Sequence, residues 1–130
     1  MPYKVSYSDN PIGVTTIFYG VVTDDDLIQS CIERTASTDV ISTLRYIKDD
    51  LLEVSEFKAT VEGIKSSALY AERAAKINKE LVHIAIASEE LIYGMARMWQ
   101  AYSSGTEWKM NIESSREDAD IWLKANMKNI

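Results

Sequence analysis

Hydrophobic and polar positions follow two periods along this chain, and the switches between them predict its elements. Tyr3, Val5 and Tyr7 alternate with Lys4, Ser6 and Ser8, the period of a half-exposed strand, and Asp9-Asn10-Pro11 is turn chemistry. Gly13 to Tyr19 continues as a second strand closed by Gly20. Thr23 with Asp26 predicts a capped helix, its first turn loaded by Asp24 to Asp26 and its buried stripe made of Leu27, Ile28, Cys31 and Ile32. Ile41 to Ile47 alternates as a third strand. From Ser55 to about Asn78, Phe57, Val61, Ile64, Ala68, Ala71 and Ala75 recur at helical spacing, with Gly63 a weak point.

The best-specified stretch is Leu81 to Tyr102. Val82, Ile84 and Ile86 alternate with His83, Ala85 and Ala87, so both faces of this strand are apolar or small, as in a parallel sheet covered on both sides. Ser88 is the expected N-cap of a helix whose stripe is Leu91, Met95, Met98 and Tyr102, widened by Ile92 and Trp99. Trp108, Met110 and Ile112 alternate as a fifth strand, and Ser114 with Glu117 predicts a capping box before a last helix that faces inward through Ala119, Trp122, Leu123 and Asn126. The order of elements implies an α/β fold: a five-stranded, mostly parallel sheet with an antiparallel first strand and helices on both faces.

Composition narrows this picture. A chain of 130 residues, 46% hydrophobic, is long enough for one domain, 1–130, with its own core. Cys31 is the only cysteine, which rules out an internal disulfide and suits a reducing cytoplasm; the N-terminus has no signal pattern, and no apolar run is long enough to span a membrane. A net charge of -6 repels phosphate backbones, so nucleic acid is not an expected partner.

Candidate chemistry is sparse. Asp49, Asp50 and Glu53, together with Asp24 to Asp26, would form an oxygen site for Mg²⁺ if they converged at the carboxyl ends of strands, but the same acids serve helix capping and solvation, and no metal-ligand spacing supports a site. His83, the single histidine, shows no partner of the kind a general base needs, and Cys31 reads as a small core residue. The expectation is therefore no catalytic residue, no metal and no cofactor. Gly94 in mid-helix has two explanations: close packing, or a groove bordered by Tyr93, with Met95, Met98 and Trp99 against an apolar tail and Arg97 on a carboxylate at its mouth.

Gly20-Val21-Val22-Thr23 with Asp26, the run from Val82 through Ser88 to Tyr93-Gly94-Met95-Ala96-Arg97-Met98, and Ala119 with Trp122-Leu123 together resemble the bacterial SpoIIAA-like family. That family is similar in fold to STAS domains, which include the anti-sigma factor antagonists. The resemblance covers nearly the whole chain, and these are mostly packing positions. It implies a small non-enzymatic cytoplasmic module that regulates a protein partner or holds an apolar, lipid-like ligand beside the sheet, as the related CRAL-TRIO fold does; homodimerisation stays open. The alternative it implies is a phospho-dependent or metal-dependent switch acting on a protein partner. STAS antagonists place a phosphorylatable hydroxyl at the start of the helix after the third strand. The corresponding stretch here is Glu53-Val54-Ser55-Glu56-Phe57, so Ser55 is the candidate, and its two flanking glutamates oppose the negative charge of a phosphate.

Overall fold

The hairpin forms as its alternation predicts: β1 (Tyr3–Asp9) pairs antiparallel with β2 (Ile12–Val22), Tyr3 opposite Phe18 and Tyr7 opposite Val14. This computed structural model describes residues 2–127; Met1 and residues 128–130, part of the expected 1–130 domain, lie outside the described residues. Gly20 does not end β2. It sits at φ +68°, beside a register shift against the neighbouring strand, and the chain resumes pairing through Val22; a β-bulge, not a strand end, is what this glycine serves.

Helix α1 (Asp24–Arg34) carries both bonds of the Thr23–Asp26 capping box. The next stretch departs from expectation. Of the expected strand Ile41 to Ile47 only Tyr46 and Ile47 are in one: Thr38–Thr43 is a short helix, α2, capped by Ser37, and β3 runs from Tyr46 to Phe57. Ile41 and Leu44, both 2% exposed, are three residues apart on one face of that turn, and over so few residues a period of two and one of 3.6 fit the same apolar positions. The acids Asp49, Asp50 and Glu53, expected beyond the strand, therefore lie within it.

The expected helix from Ser55 is correspondingly shorter. Helix α3 spans Val61–Ile77 behind the N-cap Thr60, and Ser55 is an exposed residue of β3. Strand β4 (Val82–Ile86) is buried at every position and leads to α4 (Glu90–Tyr102), whose N-cap is Glu89, with no side-chain capping bond, rather than Ser88. The α4 stripe is turned from the expected one: Ile92, Ala96 and Trp99 are buried, whereas Leu91 is 60% exposed. A 3-10 turn (Ser104–Thr106) precedes β5 (Lys109–Glu113), and Ser115, one residue later than expected, caps α5 (Arg116–Asn126).

The strands lie in the order β1-β2-β3-β4-β5, all parallel except β1, so β4 is paired on both sides. Helices cover both faces, unequally. One core holds Val14, Phe18, Ile47, Leu51 and Ala85 under α1, α3 and α4; the other holds Val82, Ile84 and Ile86 under Ala119 and Leu123 of α5 alone.

Two helical glycines have opposite environments. The Asp24 carboxylate accepts from the Thr60 backbone N–H and hydroxyl, each at 2.6 Å, tying the start of α1 to the start of α3. A Cβ on Gly63 would lie 2.0 Å from Asp24 Oδ1, so this glycine is required by close approach. A Cβ on Gly94 would meet nothing within 4 Å, which removes close packing as its explanation. Gly94→Ala should thus stabilise the fold by about 0.5–1 kcal/mol, the helix-propensity gain, while Gly63→Ala should destabilise it by about 1–3 kcal/mol. Urea unfolding reads both, and shifts of the same sign would contradict these environments. By the same assay Ser55→Ala should change stability by less than about 0.5 kcal/mol and Thr60→Ala should cost about 1–2 kcal/mol, since Thr60 and not Ser55 caps α3.

Candidate functional site

Pleating turns alternate residues of β3 and β4 toward the α1/α3/α4 layer, and this sends two ionisable side chains, Asp49 and His83, into a mainly apolar core. His83 is opposite Ile47, so Asp49 is its diagonal neighbour, a separation that long side chains bridge. Nε2 of His83 lies 2.8 Å from Asp49 Oδ2, and Arg34, the last residue of α1, donates through a guanidinium nitrogen to Asp49 Oδ1. Gln100 of α4 donates its amide to the Asn111 carbonyl at 2.8 Å and lies 3.2 Å from Nδ1 of His83. A carbonyl only accepts, which fixes the amide orientation; Nδ1 must then accept, and Nε2–H donates to Asp49. The His83 ring stacks at a tilt on Trp99, centroids 4.6 Å apart, and the Arg34 guanidinium sits 5.7 Å from the same indole.

The charges follow from this geometry. Burial raises the cost of ionising Asp49, but the Arg34 charge and the bonds from His83 and Arg34 outweigh it and hold the carboxyl at about 2. Burial likewise works against the charge on Arg34, and Asp49 more than offsets it, so the guanidinium stays protonated. For His83 burial wins over the Asp49 bond and lowers the pKa, leaving a neutral ring. Burial pushes the Cys31 thiol up. The cluster is one ion pair and one neutral imidazole.

These groups form one end of a cavity of about 30 Å³ between the helix layer and the sheet. Its walls include Phe18, Leu51, Ile64 and Ala85, and every lining residue is buried except Phe57 and Met95, which mark the mouth. Phe57 ends β3 and Met95 is in the second turn of α4, whereas Arg34 ends α1 and Asp49 and His83 lie in the first halves of their strands. The cavity thus runs inward from the carboxyl ends of the parallel strands, where open α/β sheets place ligand crevices, to a polar floor.

Of the expected groove residues, Met95 and Trp99 line this cavity, and Met98 is half-buried against the same core. Tyr93, 37% exposed, and Arg97, also exposed, face away from it; the cation in the cavity wall is Arg34. The expected acids do not converge. Asp24 ties α1 to α3, Asp49 faces the cavity, and Asp50 faces the other side of the sheet, where Arg116 donates to it at 2.6 Å and to Glu53 at 2.9 Å. Among the described residues no three His, Cys, Asp or Glu side chains form a metal-holding group. Arg34, Asp49 and His83 were not singled out together by the sequence, yet one signal was present: a histidine in a strand covered on both faces needs a buried partner.

Because the chain has one histidine, its titration is visible in stability. A neutral buried His83 binds no proton where the unfolded chain does, so its contribution is present above pH ~6.5 and is lost as the pH falls. Asp49 adds a second loss between pH ~4 and ~2. The unfolding free energy should fall from pH 7 to 5 by no more than about 1.4 kcal/mol per unit, and His83→Gln should flatten that slope. A wild type that is flat over this interval would mean that His83 is not held neutral.

The sequence matches no protein-family model and no curated protein. In structure the chain is similar to the crystal structure of an uncharacterized protein of the DUF3478 family with a SpoIIAA-like fold from Shewanella loihica PV-4, with a TM-score of 0.60, 16% identity, and coverage of 93% of this chain and 91% of that one. Identity at this level carries the fold and nothing of activity. With a five-stranded mixed sheet, β1 antiparallel and helices on both faces, the chain has a SpoIIAA-like fold.

Proposed function

We propose that this protein is a non-enzymatic binding module that holds a small apolar or lipid-like molecule between its helix layer and its sheet. The observation that carries this reading is the cavity with an apolar mouth at Phe57 and Met95 and a floor of Arg34, Asp49 and His83. A buried ion pair contributes little net stability compared with apolar side chains of the same volume, so its presence at the end of a cavity suits the orienting of a ligand. At about 30 Å³ the cavity is far below the roughly 300–1,000 Å³ of drug-sized sites, so entry requires Met95 and Phe57 to rotate outward; methionine is suited to such repacking.

A regulatory contact with a protein partner is the second reading. It is favoured by Tyr19 and Val21, 41% and 44% exposed on β2. A phospho-switch at Ser55 has less support, because Ser55 lies on a strand and Thr60, the hydroxyl that heads α3, is held by Asp24.

Native mass spectrometry of the purified protein, with organic extraction and a melting-temperature panel of fatty acids and related amphiphiles, tests the binding reading. A ligand at one hundred times its dissociation constant stabilises by about 2.7 kcal/mol, which raises the melting temperature of a domain this size by several degrees. Ala85→Val, which adds two methyl groups to the cavity wall, should abolish that rise while keeping the fold. No retained molecule and no shift with any amphiphile would overturn the reading.

A further inference from the structure

Resting on that binding reading, we infer that the polar end of the cavity's occupant is an uncharged hydrogen-bond acceptor, such as the carbonyl of a ketone, ester or amide, and not a carboxylate. Two of the lining residues carry N–H donors that are not fully used. The Trp99 indole N–H is buried and meets no acceptor among the described residues, although Trp99 lines the cavity. Arg34 donates to Asp49 through one of its nitrogens and to no other side chain or carbonyl of the described residues. Each acceptor already takes a protein donor: Asp49 Oδ1 from Arg34, Asp49 Oδ2 from His83, and His83 Nδ1 from Gln100, whereas the Trp99 donor has no acceptor at all among the described residues. A molecule seated here therefore gains most by presenting an oxygen lone pair to Trp99 Nε1 and the unused guanidinium N–H groups. An unmatched buried donor costs the fold about 1–3 kcal/mol, which such an oxygen would relieve.

Charge decides between a neutral acceptor and an anion. Arg34 is already balanced by Asp49, and the neutral His83 supplies no second cation. A carboxylate brought to this floor would add an uncompensated negative charge beside Asp49 in a water-poor site, where an isolated ion is penalised far more than a neutral carbonyl. The exposed Arg97, outside the cavity, has no access to that floor and does not alter the balance.

The test compares acetophenone, ethylbenzene and benzoate, which share a ring and nearly the same size and differ in the polar end. Binding is followed by the indole N–H resonances of ¹⁵N-labelled full-length protein, with the Trp99 signal identified by its loss in Trp99→Phe. Acetophenone should bind about tenfold more tightly than either ethylbenzene or benzoate, the increment expected of one good hydrogen bond, and should shift the Trp99 N–H downfield. Trp99→Phe, which keeps a ring and deletes the donor, should weaken acetophenone about tenfold and leave ethylbenzene within about a factor of two. Should that variant fail to fold, the wild-type ranking still decides, with the Trp99 signal identified by elimination from the losses in Trp108→Phe and Trp122→Phe. Equal binding of acetophenone and ethylbenzene, or tighter binding of benzoate, with both lost in Ala85→Val, would overturn this inference and leave the binding reading standing. No binding of any of the three, together with no response in the amphiphile panel, would overturn both.

Discussion

Arg34, Asp49, His83 and Gln100 form a chain of polar contacts through the main core, and the packing of five elements is tied to it: α1 through Arg34, β3 through Asp49, β4 through His83, α4 through Gln100, and β5 through the Asn111 carbonyl. Removing a carboxylate and a guanidinium from water costs several kcal/mol per ion, roughly, and their attraction recovers it only in good geometry with the remaining lone pairs filled. Each link therefore depends on the others. If α4 shifted, Gln100 would release Nδ1 of His83 and the Trp99 face against which the ring is stacked. If α1 shifted, Asp49 would be a buried charge without its counterion.

The sheet supplies the register that makes this possible. Pairing Ile47 with His83 puts Asp49 one pleat further along, on the same face, where a two-residue offset still lets the side chains meet. The neighbouring Asp50 necessarily points the other way, and there Arg116 from α5 neutralises it. Two consecutive acids in a central strand are thus accommodated by two arginines approaching from opposite faces. The Arg116 contact is half in solvent and adds little stability, whereas the Arg34 contact is enclosed, so its loss would leave Asp49 uncompensated.

This explains which parts of the structure were legible from sequence. The hairpin, α1 with its capping box, β4 and β5 follow from local pattern, since each depends on neighbours two to four residues away. The boundary of β3 does not. Asp49, Asp50 and Glu53 carry the composition of a loop, and they are strand residues only because Arg34, His83 and Arg116, between 15 and 66 positions away, meet them. With those acids read as lying outside the strand, the helical pattern starts at Ser55; the helix instead begins behind Thr60, which caps it. Half of the candidate site was legible for the same reason. Helical spacing locates Met95 and Trp99 but points to Arg97 of the same helix as the cation, whereas the cation in the cavity wall, Arg34, comes from α1.

Fold likeness at 16% identity leaves function to be argued from side chains. A SpoIIAA-like sheet needs an apolar filling under α1, α3 and α4, and most of this one has it: Phe18, Leu51, Ile64 and Ala85 meet that need without any polar atom. The ion pair, the histidine and the unmatched indole N–H are what that need does not explain. Arg34, Asp49, His83 and Trp99 all line the cavity, and the half-buried side chains, Phe57 and Met95, are at the other end from the ion pair, toward the carboxyl ends of the strands. Gly94, one residue before Met95, has open space where a side chain would stand, so it neither packs the helix nor relieves strain. A helix carrying a costly glycine and an adaptable methionine in the same turn is locally weak over the mouth, while Trp99 and Gln100, one turn further on, anchor it over the floor. On the proposed binding reading, the polar anchors of α4 stand over the floor and its costly glycine stands over the mouth, the end by which a ligand would enter.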